Sequence, residues 1–139
     1  MQLTRTSEGK GNGLETLALD VDKYGYVYEA QQASCCIDNR YNLTVDNKRV
    51  GNYSGSPDGL LLVLTPDFKQ RLYWTPFSSY DGGKKSKPVD IKVNNGRVVF
   101  ALLANGEMIT KNSFPGTKVS SNDTNFVGYV TVFGTVENQ

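Results

Sequence analysis

Histidine is absent from this chain of 139 residues, and cysteine occurs only twice. Histidine is the commonest general base of enzymes and the commonest transition-metal ligand, so its absence removes Ser-His-Asp, Cys-His and most zinc mechanisms. The two cysteines, Cys35 and Cys36, are adjacent, and a disulfide between neighbouring residues is strained. We therefore expect two thiols without a bound metal, no cofactor, and a protein that is not an enzyme.

Long hydrophobic runs and an excess of charge of one sign are also missing. The longest apolar run, residues 60–64, has the length of a strand, whereas a membrane span needs about 18 apolar residues or more. Fifteen Lys and Arg face 14 Asp and Glu, so no overall field attracts nucleic acid or a membrane. Residues 1–5 lack the apolar core of a secretion signal. We expect a protein without membrane or nucleic-acid partners, made and kept in a cytoplasm.

Two Asn-Gly dipeptides, beginning at Asn95 and Asn105, punctuate the apolar residues 89–110. Asn-Gly readily takes the positive φ angles of a two-residue hairpin turn, so this spacing predicts a three-stranded antiparallel meander. Counting outward from each turn gives the expected pairs on the core side. These are Val93 with Val98, Ile91 with Phe100, Val89 with Leu102, Leu102 with Ile109, and, on the other side, Leu103 with Met108.

Apolar and polar residues alternate through much of the remaining chain, with turn signals about every 8 to 12 residues. The expected strands are 17–21, 24–28, 41–45, 60–64, 72–74 and 126–136. In the last of these, one face is expected to carry Val130, Val132 and Val136, and the other Tyr129, Thr131 and Phe133. Residues 60–64 are apolar at every position, which predicts a central strand buried on both faces. Turns are expected before them at residues 56–59 and, after strand 41–45, at residues 46–48. The pattern predicts an all-β fold: one antiparallel, jelly-roll-like β-sandwich domain at residues 14–139.

Residues 1–13 are polar and rich in glycine, so they have little apolar surface to bury. Ordering a backbone costs about 1 to 2 kcal/mol per residue, which such a segment recovers only by contact with something else. We predict an N-terminal arm that docks on another chain. The candidate assembly contacts are Leu3, Arg5 and Lys10.

Acidic residues suggest two kinds of site, a calcium loop and a catalytic carboxylate pair. Asp20, Asp22 and Gly25 match three positions of a calcium loop, but the twelfth position is Gln31 instead of a bidentate glutamate. A plain turn between strands explains the same residues. Carboxylate pairs of the kind that glycosidases use are Asp20 with Asp22, or Asp38 with Asp46, although acids in turns ordinarily serve to solvate loops.

Aromatic residues and lysines are concentrated between residues 73 and 87. Flat rings stack on sugars and are also enriched at protein interfaces, while lysines suit an acidic surface. Core packing of the rings and simple solvation of the lysines explain the same composition. The candidate contacts to a partner or a glycan are Tyr73, Trp74, Phe77, Tyr80, Lys84, Lys85 and Lys87.

These absences and patterns favour a non-enzymatic assembly protein that contacts copies of itself or other protein chains. The expected setting is a virion, assembled in the host cytoplasm, with this chain as a capsid-decoration, capsid or tail component of a virus or phage. The alternative is a carbohydrate-binding β-sandwich module, in which Trp74 and the neighbouring tyrosines hold a glycan. A carbohydrate enzyme is a more distant third reading.

Overall fold

The computed structural model describes residues 14–33, 44–51, 58–77, 85–105, 108, 111–113 and 125–138. These ranges form nine strands and one 3-10 turn: β1 (Leu14–Val21), β2 (Val27–Ala33), β3 (Thr44–Val45), β4 (Lys48–Arg49), β5 (Asp58–Leu64), β6 (Arg71–Phe77), β7 (Ser86–Asn94), β8 (Arg97–Ala104), β9 (Val127–Gly134) and η1 (Val136–Asn138). One antiparallel sheet has the order β1-β2-β5-β6 and another the order β7-β8-β9, with β3 and β4 as a separate hairpin. The all-β prediction is confirmed. Within the described ranges, no helix has the length and hydrophobicity to cross a membrane.

The four-stranded and three-stranded sheets share one hydrophobic core. Phe77 of β6 meets Phe100 of β8 edge to face, with ring centroids 5.1 Å apart, and stacks on Phe133 of β9 at 6.3 Å. Buried side chains from both sheets surround these rings: Tyr28, Ala30, Leu61, Val63, Ile91, Val98 and Leu102. Removal of this apolar surface from water is the main term that holds the two sheets together.

β5 is a central strand that is buried on both faces, as predicted for residues 60–64. All seven of its residues are buried. Leu61 and Val63 face the core between the sheets, whereas Leu60, Leu62 and Leu64 join a second apolar cluster on the outer face. The strand begins earlier than expected, because residues 58 and 59 already pair with β2 instead of forming a turn.

The first Asn-Gly turn is confirmed. Asn95 and Gly96 have φ angles of 48° and 73°, as a two-residue hairpin turn of this kind requires. Val93 pairs with Val98 and Ile91 pairs with Phe100, as predicted. The next predicted pair is wrong, because a bulge makes Pro88 the partner of Leu102 and leaves Val89 56% exposed. A bulge inserts one extra residue, which reverses the alternation beyond it.

The third strand of this sheet is not the one that the second Asn-Gly dipeptide predicts. β8 pairs on its other side with β9, so the second predicted hairpin is wrong. Leu102 lies opposite Tyr129 rather than Ile109, and Leu103 pairs within β9 rather than with Met108. A strand about twenty residues farther along the chain takes the place of the local partner.

Asn105 instead connects the end of β8 to the start of β7. Its backbone N donates to the carbonyl oxygen of Lys85 at 3.1 Å, and its side-chain Oδ1 accepts from the backbone N of Lys85 at 2.7 Å. The residue that was expected to open a turn therefore satisfies the backbone of a neighbouring strand.

Two boundary predictions outside this sheet have different outcomes. The turn between β3 and β4 is confirmed, with Asp46 and Asn47 at positive φ angles of 50° and 64°. The strand expected to end before Pro76 continues through it to the end of β6. β6 lies at the edge of its sheet, where a residue without an N–H group is tolerated.

Candidate functional site

The aromatic residues proposed as contacts lie mainly inside the protein. Trp74 and Phe77 are both fully buried, Trp74 in the outer cluster and Phe77 in the core between the sheets. Tyr73 is partly buried and packs against that same core. In this conformation neither buried ring offers a face to a sugar or to a partner.

A bulge in β6 explains the environment of Trp74. Residues three apart on a regular strand face opposite sides, but the register shift at Leu72 places Arg71 and Trp74 on the same outer face. The Arg71 guanidinium carbon lies 4.4 Å from the centre of the Trp74 ring, in cation–π contact. The indole Nε1 of Trp74 is buried and makes no hydrogen bond in the described structure. Trp74 therefore packs within the outer cluster of the protein and contacts Arg71.

The remaining predicted contacts separate from these rings. Lys85 and Lys87 are exposed, at the start of β7. Tyr80 and Lys84 lie outside the described residues, as do the candidate arm contacts Leu3, Arg5 and Lys10 and the residues Cys35, Cys36 and Asp38. The structure does not bring the buried rings and the exposed lysines together on one surface.

Asp22 organises the turn between β1 and β2. Its Oδ1 accepts hydrogen bonds from the backbone N atoms of Tyr24 and Tyr26 at 2.9 and 3.1 Å, and its Oδ2 accepts from the Tyr28 hydroxyl at 3.0 Å. The Tyr28 oxygen in turn accepts from the backbone N of Val136 at 2.9 Å. Burial raises the pKa of Tyr28 well above its ordinary value, and the Asp22 carboxylate raises it further. This carboxylate therefore holds the turn together.

Asp20, the other acid of the proposed calcium loop, joins the two sheets. Its Oδ2 accepts a hydrogen bond from the backbone N of Val93 in β7 at 2.6 Å. Among the described residues, no group of three or more acidic or cysteine side chains is placed to hold a metal ion. The chemistry visible at Asp20 and Asp22 is the capping of backbone N–H groups.

The outer face of the four-stranded sheet contains a polar row that the sequence did not reveal. Glu29 Oε2 accepts hydrogen bonds from Thr16 Oγ1 and from Gln31 Nε2, both at 3.1 Å. Gln31 Nε2 also lies 3.1 Å from Thr16 Oγ1. Glu29 and Gln31 are buried, so these bonds satisfy groups that have lost water. The row is an internal network of the fold.

The three-stranded sheet, in contrast, has an outer face that is exposed to solvent and largely apolar along β8 and β9. Val130 and Val132 of β9 are 65% and 57% exposed. They lie directly beside Ala101 and Val99 of β8. We call the following residues the β8–β9 face: Val99, Ala101, Leu103, Val130 and Val132. The charges of this sheet lie on β7, where Lys92 and Asp90 form an exposed ion pair of 3.8 Å, and at Arg97, the exposed first residue of β8. β9 has no charged residue.

The edge strands of the two large sheets differ in how well they are protected against pairing with another strand. Among the edge strands of the two large sheets, β1, β6 and β7 each contain a bulge, at Leu17, Leu72 and Val89. Pro76 and Pro88 further interrupt β6 and β7. β9 pairs with β8 along its whole length without a register shift. Bulges, prolines and charges are the usual devices that prevent a sheet edge from accepting another strand, and β9 has none of them.

The sequence correctly divided the faces of β9 but did not show which one meets solvent. Val130 and Val132 share one face, opposite Tyr129 and Phe133, as expected. Val136, which was expected on the face of the two valines, lies instead in η1 and packs against the core. The alternation of residues is equally consistent with either face being buried. Comparisons of the chain with protein-family models, with curated proteins and with solved structures find no significant match.

Proposed function

We propose that this protein is a non-enzymatic assembly component that contacts other protein chains through the β8–β9 face. One observation carries the proposal: Val130 and Val132 leave most of their side-chain surface in water on a regular strand. Complete burial of a valine side chain is worth roughly 1.5 to 3 kcal/mol. An exposed apolar patch of this kind is typical of an interaction surface.

The choice of valine strengthens this interpretation. Threonine has nearly the shape of valine and a similar preference for strands, and its hydroxyl is compatible with solvent. The fold of β9 therefore does not require valine at positions 130 and 132. Contact with an apolar surface of another chain supplies the reason for its presence.

The proposed scaffold is a β-sandwich in which the two large sheets lie face to face. The shared core around Phe77, Phe100 and Phe133 supports this architecture. Consecutive large strands stay within one sheet until the chain passes from β6 to β7. That order favours a simple sandwich over the repeated crossings of a jelly roll.

The setting that we propose is a virus or phage particle, with this chain as a capsid-decoration, capsid or tail component. Symmetry repeats each contact many times in such a particle, so an interface of modest area is sufficient. The absence of histidine and the nearly neutral charge are compatible with a structural role. The carbohydrate-binding alternative gains no support from Trp74, because its ring is enclosed.

Analytical ultracentrifugation of the purified chain over a wide range of concentration tests the proposal. We expect the average mass to rise with concentration and to remain raised in high salt, because apolar contacts are not screened by ions. A monomeric mass at every concentration would contradict the assembly function. Association that salt dissolves would instead point to charged groups such as Lys85 and Lys87.

A further inference from the structure

The geometry points to a second copy of this chain as the partner, bound through β9. In this arrangement β9 pairs antiparallel with β9 of the second copy about a two-fold axis at Thr131. The two three-stranded sheets then join into one sheet of six strands. The inference rests on the proposed assembly function and names a partner that meets Val130 and Val132 at the edge of the β8–β9 face.

The first argument is the construction of the edge. In the part of the chain that the structure describes, β8 is the strand that pairs with β9, which places β9 at the end of the order β7-β8-β9. β9 is regular and without proline or charge, unlike β1, β6 and β7. An edge with these properties is a template for another strand, since its backbone N–H and C=O groups follow an uninterrupted extended path.

The second argument identifies the occupant. The seven residues Gly128-Tyr129-Val130-Thr131-Val132-Phe133-Gly134 have matching chemistry when they are read from either end. A two-fold axis at Thr131 places Val130 opposite the partner's Val132. The same axis places an aromatic residue opposite an aromatic residue and a glycine opposite a glycine. A two-fold interface requires this self-complementarity, because every contact occurs twice with the roles of the copies exchanged.

The matched pairs have consistent environments on the two sides of the joined sheet. On the solvent side, the valine pairs would extend the β8–β9 face into a continuous apolar surface across both copies. On the other side, Tyr129 and Phe133 are partly buried against the core, where the opposing aromatic rings would extend it. Cross-strand pairs of these types each contribute roughly 0.2 to 1 kcal/mol beyond alanine pairs.

Charge also permits the pairing of two identical copies. β9 contributes no charge, so no like charges face each other at the axis. Asp90 and Lys92 lie on β7, the far strand of the sheet. Five strand spacings, or roughly 24 Å, would separate β7 from its equivalent in the second copy. That distance exceeds the Debye length of about 8 Å at physiological ionic strength.

The extent of the contact predicts its strength. Seven paired residues form a ribbon roughly 24 Å long, which is small beside a standard interface of about 1,600 Å². The isolated pair should therefore be a dimer that dissociates on dilution. In a larger assembly the same contact would act together with others.

A disulfide cross-link at the proposed axis tests the register. In a Cys35→Ser, Cys36→Ser background, Thr131→Cys places two thiols in directly opposed positions. Opposed residues of antiparallel strands have Cα atoms about 4.5 to 5.5 Å apart, within the range for a disulfide. We expect a covalent dimer under mild oxidation. Val130→Cys is the matched control, because its two thiols would be diagonal neighbours, about 7 to 8 Å apart, and should cross-link poorly.

A charge on the edge tests the contact without a cross-link. Val132→Lys should abolish concentration-dependent association in ultracentrifugation, since each lysine would face an apolar residue of the other copy. Leu19→Lys is the control, because Leu19 is also exposed and lies on the bulged edge strand β1. It should leave association unchanged. Thermal midpoints equal to that of the wild type verify that both variants are folded.

The outcomes separate this inference from the assembly function. Association that survives Val132→Lys overturns the β9 contact but retains the assembly function. Equal cross-linking of Thr131→Cys and Val130→Cys overturns the register, and a mass that grows beyond a dimer replaces the two-fold contact with a head-to-tail one. Loss of association in Leu19→Lys alone assigns the contact to β1. A wild-type chain that is monomeric at all concentrations contradicts both proposals.

Discussion

The two large sheets place apolar side chains on their outer faces in opposite environments. On the four-stranded sheet, Leu60, Leu62 and Trp74 are fully buried. On the three-stranded sheet, Val130 and Val132 are mostly exposed. An enclosed apolar face stabilises a single copy of the chain, whereas one that remains in water is available to another chain.

Polar groups and strand edges show the same contrast. The enclosed face includes the buried residues Glu29 and Gln31, which hydrogen-bond to each other and to the exposed Thr16 at its edge. The exposed face has only apolar residues on β9 beside its glycines. The amino-acid composition of a sheet face does not tell whether the face is enclosed or exposed. The exposed fraction of its side chains and the regularity of its edge strand distinguish the two outer faces.

The largest difference between the two faces should appear in stability. We expect Trp74→Ala to lower the free energy of unfolding by roughly 3 to 5 kcal/mol, because it leaves a cavity in the enclosed cluster. Val132→Ala should change it by about 0.5 kcal/mol or less. Urea unfolding followed by circular dichroism is the suitable measurement, since Trp74 is the only tryptophan. Equal losses in the two variants would remove the distinction between the faces.

The turn that orders the three-stranded sheet should be the next most sensitive position. Gly96 has a φ of 73°, and a Cβ atom there would collide with the Asn138 side-chain amide. Gly96→Ala should therefore cost roughly 1 to 3 kcal/mol of unfolding free energy. Gly128→Ala is the control, because an added Cβ meets nothing within 4 Å. Adding Asn138→Ala to the Gly96→Ala variant should restore part of the lost unfolding free energy. If it restores none, the collision with Asn138 does not contribute to the loss.

Tyr28 should link stability to alkaline pH. Tyr28→Phe removes the hydrogen bonds that connect Asp22 and the backbone of Val136, at a cost of about 1 to 2 kcal/mol. Because folding raises the pKa of Tyr28 above 10.0, its contribution is complete below pH 10.0 and is lost as the pH rises through the raised value.

Thermal unfolding between neutral and strongly alkaline pH checks this sign. The wild type should lose stability more steeply with pH than the Tyr28→Phe variant. Tyr24→Phe, which changes an exposed tyrosine of the same turn, should behave as the wild type. A Tyr28→Phe profile as steep as that of the wild type would contradict the assignment.

Threonine in place of Val130 and Val132 should change stability least of all these variants and yet weaken association. Replacing Val130 and Val132 by threonine keeps the side-chain shape, so the unfolding free energy of the monomer should change by about 0.5 kcal/mol or less per site. Association measured by ultracentrifugation should nevertheless weaken, because the hydroxyl groups would be desolvated at the interface. Unchanged association would show that the valines make no contact.

Local chemistry made part of this fold predictable from the sequence. The turns at Asn95 and Asp46 follow from residues that tolerate positive φ, and the buried strand β5 follows from a run that is apolar at every position. Three bulges were not predictable, because an extra residue leaves no mark in the pattern of apolar and polar side chains. Val89 was therefore assigned to the wrong face.

Long-range pairing accounts for the other errors. Asn105 begins the same dipeptide as Asn95, yet β8 pairs with the distant β9, since the choice of partner depends on the whole sheet. The candidate site was missed for a related reason. A tryptophan suits a contact surface as well as a core, and only the assembled sheets show that Trp74 is enclosed while Val130 and Val132 are exposed.

Amide hydrogen exchange of β9 at low and high protein concentration tests most directly whether a second copy completes the open sheet. Residues 130–132 should become more protected as the concentration rises, whereas residues 17–21 of β1 should exchange at the same rate throughout. Exchange of β9 that does not depend on concentration, or added protection at β1 instead, would contradict the difference proposed between the two sheets.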